Sequence, residues 1–446
     1  MRNILRKLPI LRKVYGKFKF YDNKFKAYDI KINDLEQELL YINANLIKQK
    51  HIEKSKRGEK INLVFVCHRP QVWNSLKTVF EACNADEIFN ITIVAIPNKK
   101  QLPKTGLNHE FYETEGAEEF YKDFPCKVVN GYNYENEEWL DIKTLNPDYV
   151  FFQQPYNICK PECLKSWNVA KYATLVFVHY GCPVDCEQMI YECMPPNFLK
   201  NLSILFCEHK TNVEIYDRWK NKNGNSFTRL YLTGYPRFDL LKRYENAESS
   251  LWKKHDRNLF RIVWTPRWTT NENNCHFFQY KDRFLDYCDK NKDVDFVFRP
   301  HPQAWLNYAQ FDNFSIEKSN LYKTEYKKRE NANIDETADF LPLFCSSDVL
   351  VADNSSVIVE YFLTGKPIIY CKNNKSLFDQ AGKWTEGFYY VHSWKELTET
   401  LEMLKSGEDP LKEKRQELIR SEFYLPPNGA GYEIKELIKK DFRGEL

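Results

Sequence analysis

The chain has 446 residues, 43% apolar and 28% charged, with a net charge of +3. This size suits two ordinary domains plus an additional segment, and the globular composition excludes a disordered or fibrous chain. So small a charge gives no case for nucleic-acid binding, and no apolar run reaches the roughly 18 residues of a membrane span.

Residues 1–20, MRNILRKLPILRKVYGKFKF, hold seven Arg and Lys and no acid. Leu5, Leu8, Leu11, Tyr15 and Phe18 recur at roughly helical spacing, interrupted at Pro9. The segment is expected to lie on an anionic membrane surface; a solvated basic tail is the alternative. It lacks the continuous apolar stretch and cleavage site of a signal peptide, so the expected location is cytoplasmic, peripheral to the inner face of the membrane. Phe25, Tyr28, Ile32, Leu35, Leu39, Ile42 and Leu46 then follow at alternating steps of three and four. That heptad seam predicts a short coiled coil and a homo-oligomer, unless it packs on the chain's own body. KQKHIEKSKRGEK (48–60) reads as a polar linker, so residues 1–58 are set apart.

From residue 61 apolar runs alternate with helical patterns. INLVFVC, FNITIVAIP, PDYVFFQQP, ATLVFVHYG, LSILFCEH and RLYLTGYPRFD form a first series. After a polar junction at 243–257, FRIVWTP, a helix from about 276, VDFVFRPHP, DVLVAD and KPIIYC form a second. Alternation of this kind predicts an α/β protein of two Rossmann-like domains facing across a cleft, 59–245 and 246–446, with the terminal helices counted in the second. Ligands in such folds sit at the carboxyl ends of the strands.

Thirteen scattered cysteines show no disulfide framework. The pairs Cys159/Cys163 and Cys182/Cys186, near His179 and Cys193, have a weak spacing for zinc, so no metal is expected and buried thiols in a reducing compartment are. Polar residues gather at four strand ends. His179, after a buried strand, reads either as a general base or as a structural histidine bonding a loop carbonyl. Arg299 and His301 stand between prolines in Arg-Pro-His-Pro; a cation and an imidazole on a rigid loop suit a phosphate, although Arg299 also fits a buried carboxylate. Arg267 heads a third cluster, Arg267-Trp268-Thr269-Thr270. In the fourth, Asp353-Asn354-Ser355-Ser356 precedes a helix expected to start near Ser355, an anion seat or a cap, with Glu360 one turn on to meet a ribose. No phosphate-loop or dinucleotide glycine motif is present.

Arg-Pro-His-Pro at 299–302, SSDVLVADNSSVIVEYFLTGKPIIY from 346, TGYPRFD from 233 and EGFYY from 386 resemble the CDP-glycerol glycerophosphotransferase family over roughly residues 170–405. The resemblance implies a GT-B-type fold, an acceptor site in the first domain and a nucleotide-donor site in the second. It implies transfer of a polyol phosphate from a CDP-activated donor to a glycan hydroxyl in teichoic-acid or capsule synthesis. On it, His301, Ser355 and Ser356 contact donor phosphates and His179 is the base; Arg267, Arg299, Asn354 and Glu360 complete the donor site. No cofactor is implied beyond the nucleotide-linked donor, and no nucleic-acid partner. The motifs depart from the family pattern at His179-Tyr180-Gly181-Cys182-Pro183, at Pro266-Arg267-Trp268-Thr269 and at Asn354, which points to a divergent branch. The alternative is a nucleotide-sugar glycosyltransferase of the same fold, with Glu360 and the Gly365-Lys366-Pro367 turn serving its donor.

Overall fold

The structure, a computed structural model, describes residues 9–100, 111–181, 187–222, 227–337, 339–372 and 382–446. The apolar runs become two parallel sheets. The first comprises β1 (Ile61–Cys67), β2 (Phe89–Ala95), β3 (Lys127–Asn130), β4 (Tyr149–Phe152), β5 (Thr174–Val178), β6 (Ile204–Cys207) and β7 (Arg229–Leu232). Its spatial order is β7-β6-β5-β4-β1-β2-β3. The second comprises β8 (Phe260–Thr265), β9 (Val294–Phe298), β10 (Ala332–Ile334), β11 (Val349–Ala352), β12 (Ile368–Cys371) and β13 (Tyr389–Val391), in the order β10-β9-β8-β11-β12-β13.

In each sheet the chain builds outward from one strand and then crosses to its other side. The strand order therefore reverses between β1 and β4 and between β8 and β11, which opens a crevice at those strand ends. Parallel strands covered on both faces must be apolar throughout. Every residue of β5, β9 and β11 is accordingly buried. One apolar cluster runs from Phe65 and Ile93 of the first sheet to Val263, Leu350 and Ile368 of the second. Separate clusters cover the remaining face of each sheet.

The helices that matter below are α1 (Pro9–Lys56), α2 (Lys77–Asn84), α3 (Lys210–Lys222), α4 (Pro236–Tyr244), α5 (Ile358–Phe362) and α6 (Ala430–Arg443). α1 corrects the expected linker, because it continues through Lys56 without a break. Its last turns bury Ile47, His51 and Lys54 against the first sheet. Lys54 pairs with Asp148, His51 lies 3.7 Å from the same carboxylate, and the His51 ring packs on Tyr149 and Phe442. Burial pushes the His51 pKa down to about 4, which leaves the ring neutral at pH 7.

The described residues of the heptad seam are not buried on the chain's own body, although Leu39 borders a groove with Trp167 and Lys200. Tyr28, Ile32, Leu35, Leu39, Ile42 and Leu46 are all exposed. Residues 1–8 of the basic segment lie outside the described residues, and 9–20 form part of α1. No helix among the described residues is long and apolar enough to cross a membrane.

α6, grouped with the second domain from sequence, lies against the first. Gly431 approaches Thr78 of α2 so closely that an added Cβ would stand 2.4 Å from its backbone. Tyr149 of β4 donates to Asp441 at 2.8 Å, and Arg229 of β7 pairs with the same side chain. Asp239 of α4 fixes the start of α6, accepting from the Ala430 and Gly431 amides at 2.8 and 3.0 Å and from the Thr78 hydroxyl at 2.8 Å. Those amides would otherwise be unsatisfied at the helix start. Asp239→Ala is therefore expected to lower the unfolding free energy by roughly 2–3 kcal/mol. Urea titration measures it, and a loss below about 0.5 kcal/mol would contradict the role given to Asp239.

Candidate active site

The second sheet's crevice is organised by Asp353, which ends β11 across from β8. Its carboxylate accepts from the Arg267 amide and, at 2.8 Å, from the His276 amide. Burial raises its pKa, and the bonds from His276 oppose the rise. The bond to Arg267 spans the point where strand order reverses. It draws together the loops after β8 and β11. The Arg267 side chain then donates at 2.9 Å from each of two nitrogens to Glu272, and at 3.3 Å to the Asn354 carbonyl. Its guanidinium lies 5.3 Å from the Trp268 ring, which in turn stands 6.0 Å from the ring of His301.

His301 follows β9 and is open to solvent along one edge. Crowding by the surrounding protein, then the charges of Arg267 and Arg299, push its pKa down to about 4. The ring is therefore neutral at pH 7. Its Nδ1 accepts from the Gln303 amide at 3.2 Å, so the remaining proton resides on Nε2 as a donor.

The serines sit differently from expectation. α5 starts at Ile358 and has only five residues, with a turn at Ser356 and Val357 before it. Neither hydroxyl caps the helix. Ser355 is half-buried and Ser356 exposed, directly after Asn354, whose carbonyl accepts from Arg267. Three other expected donor residues are occupied elsewhere. Arg299 pairs with buried Asp335, donates to the Thr337 carbonyl at 3.1 Å and stacks over Phe340. The Asn354 amide oxygen accepts from Tyr370 at 2.5 Å. Glu360, expected to meet a ribose, is buried, with its Oε1 accepting from Arg237 at 2.9 Å. Burial raises the Glu360 pKa, and the charge of Arg237 opposes that.

Arg237 links the two halves. One guanidinium nitrogen meets Glu360, on the helix after the serines; the other donates at 3.0 Å to the carbonyl of Tyr180, the residue after His179. His179 ends β5, is 1% exposed, and shares a 2.5 Å hydrogen bond between Nε2 and the Tyr216 hydroxyl of α3. Burial pushes its pKa down to about 3. Cys182 and Pro183 of its motif lie outside the described residues.

Sequence reasoning missed several groups at the first sheet's strand ends. Lys160 is buried over Phe152 and Phe198, donates to the Gln154 carbonyl at 2.9 Å, and has its pKa pushed down to about 7 by burial. Glu208, after β6, is bonded by Asn212 at 2.8 Å and raised to about 8 by burial. Arg237 stood in the quoted TGYPRFD motif without a role. Its partner is 123 residues away, and no local signal joins them. No disulfide joins the described cysteines, and the described residues contain no cluster of three metal-ligating side chains.

Residues 196–422, half of the chain, match the family described as CDP-Glycerol:Poly(glycerophosphate) glycerophosphotransferase. The chain belongs to this family. It is also similar to the minor teichoic acid biosynthesis protein GgaB of Bacillus subtilis (strain 168), at 22% identity over 391 residues. The match covers 81% of this chain but 39% of that protein, so the chain spans about two fifths of the relative's length. Among solved structures, the wall teichoic acid polymerase TagF aligns with a TM-score of 0.54 at 16% identity, covering 97% of this chain and 99% of that one. A UDP-GlcNAc 2-epimerase from Neisseria meningitidis aligns with a TM-score of 0.51 at 13% identity, over 85% and 98%. These likenesses establish the GT-B-like fold.

Two outcomes test the buried charges. Arg237→Met strands Glu360 in the interior and is expected to cost about 3–5 kcal/mol, and adding Glu360→Gln should recover more than half. Independent, additive losses in denaturant titration would show that the pair is not coupled. Glu208, raised above its unfolded pKa, favours the fold when protonated; that contribution is full below about pH 4.5 and fades as pH rises towards about 8. Glu208→Gln should flatten the fall in urea midpoint between about pH 5 and 8; an unchanged slope would remove Glu208 as its source.

Proposed function

We propose that this chain transfers glycerol phosphate, or a related polyol phosphate, from a CDP-linked donor to a glycan hydroxyl in surface-polymer synthesis. The observation that carries the reading is Arg237, whose one side chain meets both the residue after His179 and the helix after Ser355 and Ser356. It supports an arrangement with the imidazole of His179 on one side of that contact and an anion seat at Ser355 and Ser356 on the other. The donor diphosphate lies against His301 Nε2, the Ser355 and Ser356 hydroxyls and the Arg267 loop. The acceptor hydroxyl attacks the distal phosphorus; the new O–P bond forms as the bond to the CMP oxygen breaks, and the hydroxyl proton passes to His179. Positioning and charge neutralisation carry most of such a transfer. Arg299, Asn354 and Glu360 act by holding the loops.

The basic segment at 1–20 holds the protein to the inner, anionic face of the membrane, and residues 25–46 join copies of the chain. The rival sugar-transferase reading leaned on Glu360 meeting the donor ribose, and the pairing of Glu360 with Arg237 withdraws that support.

Incubation with CDP-glycerol, CDP-ribitol and UDP- or GDP-sugars tests the reading. CMP release from a CDP-polyol is expected, whereas release of UDP or GDP alone would overturn it. His301→Ala should lower turnover by about 100-fold or more with an unchanged circular dichroism spectrum. Turnover within about threefold of the parent would remove His301 from the site.

A further inference from the structure

We propose that two copies of this chain pair through α1 as a parallel, in-register coiled coil over residues 25–46. The proposal rests on the self-association reading above and is independent of the transfer chemistry. Every described seam residue lies open: Tyr28 is 52% exposed, Ile32 55%, Leu35 56%, Leu39 59%, Ile42 53% and Leu46 62%. The body holds α1 mainly by another face, through Ile47, His51, Lys54 and the Glu36–Lys200 pair, and the groove between helix and body reaches Leu39. At 3.6 residues per turn, Ile47 lies about 100° round from Leu46. The helix is thus anchored by one stripe and presents a second one unpartnered. The next seam positions, Gln49 and Glu53, are polar and exposed, so the apolar stripe stops where the body begins.

The period and the flanks select the occupant. Steps of three and four average 3.5 residues, the repeat that keeps two supercoiled helices in contact. A lipid-lying helix instead needs a basic border to its apolar face, and this stripe is bordered by Glu36 and Glu38 as well as Lys31. With Ile32, Leu39 and Leu46 at the first core position of each heptad, Lys31 and Glu36 fall at the two flanking positions that meet across a parallel pair. Lys31 of one copy then faces Glu36 of the other, twice by symmetry. Glu38 faces Asn43 and Asn45 faces Lys50, so like charges do not meet. Glu36 bonds Lys200 of its own body through Oε2 at 2.7 Å, which leaves Oε1 for the second lysine. In this arrangement both bodies hang from the same end of a rod roughly 57 Å long over residues 9–46, and residues 9–20 of both copies form the other end.

Light scattering on the full chain is expected to give twice the chain mass, falling to one chain mass in Leu35→Asp/Leu39→Asp with unchanged circular dichroism. Leu39→Cys with a short bismaleimide is expected to give an inter-chain product, absent from the parent, in more than half of the chains. A monomeric parent would overturn the pairing altogether, including one that binds anionic vesicles through the seam. A dimer indifferent to the aspartates would overturn the surface. A dimer without the cross-link would overturn the parallel register while leaving self-association standing.

Discussion

One guanidinium group sets the relation between the two sheets. Arg237 reaches the Tyr180 carbonyl on one side and the Glu360 carboxylate on the other, and both members of the ion pair are nearly shut away from water. A carboxylate in that position requires a cation, because its desolvation cost is met only by a paired and bonded partner. The planar fork of arginine serves two acceptors at fixed angles, which a lysine point charge does not. The loops carrying His179 and the Ser355–Ser356 turn thus take their spacing from one side chain. Gly234, at φ +75°, makes the turn that aims α4, and the close Tyr424 carbonyl leaves no room there for a Cβ.

The histidines of the site share an electrostatic character. His179 and His301 both stand neutral, at about 3 and about 4, the first through burial and the second through crowding plus two guanidinium groups. Neither is a standing cation in the resting protein. Arg267, beside His301, is itself paired with Glu272. Entry of an anionic ligand would raise the basicity of a nearby imidazole, since an opposite charge favours the protonated ring.

Much of this architecture could be read from apolar periodicity. The runs INLVFVC, TLVFV, FRIVWT and VLVA are strands because nothing else buries so many consecutive branched and aromatic residues. The heptads were equally plain, for steps of three and four need no tertiary information. What escaped was pairing at long range. KQKHIEKSKRGEK looked like a linker because its polar residues outnumber its apolar ones, yet His51 and Lys54 are buried on Asp148, 94 residues beyond Lys54. Glu360 and Arg299 looked available for the same reason. Each has a carboxylate or guanidinium partner that only the folded chain brings near. The serines were read as an anion seat or a cap on a helix starting near Ser355, because short hydroxyls before an apolar run suit either. Here Asp353 and Asn354 bond to neighbouring loops, and the helix waits until Ile358.

The return of α6 to the first sheet bears on how the protein comes off the ribosome. Asp441 serves Tyr149 and Arg229, and Ile434, Ile438 and Phe442 belong to the same core as β1 and β2. The half synthesised first therefore lacks one wall until α6 emerges. Domains usually complete themselves in order of synthesis. In this chain the first half stays open on that side until residues 430–443 have been made, after the whole second sheet.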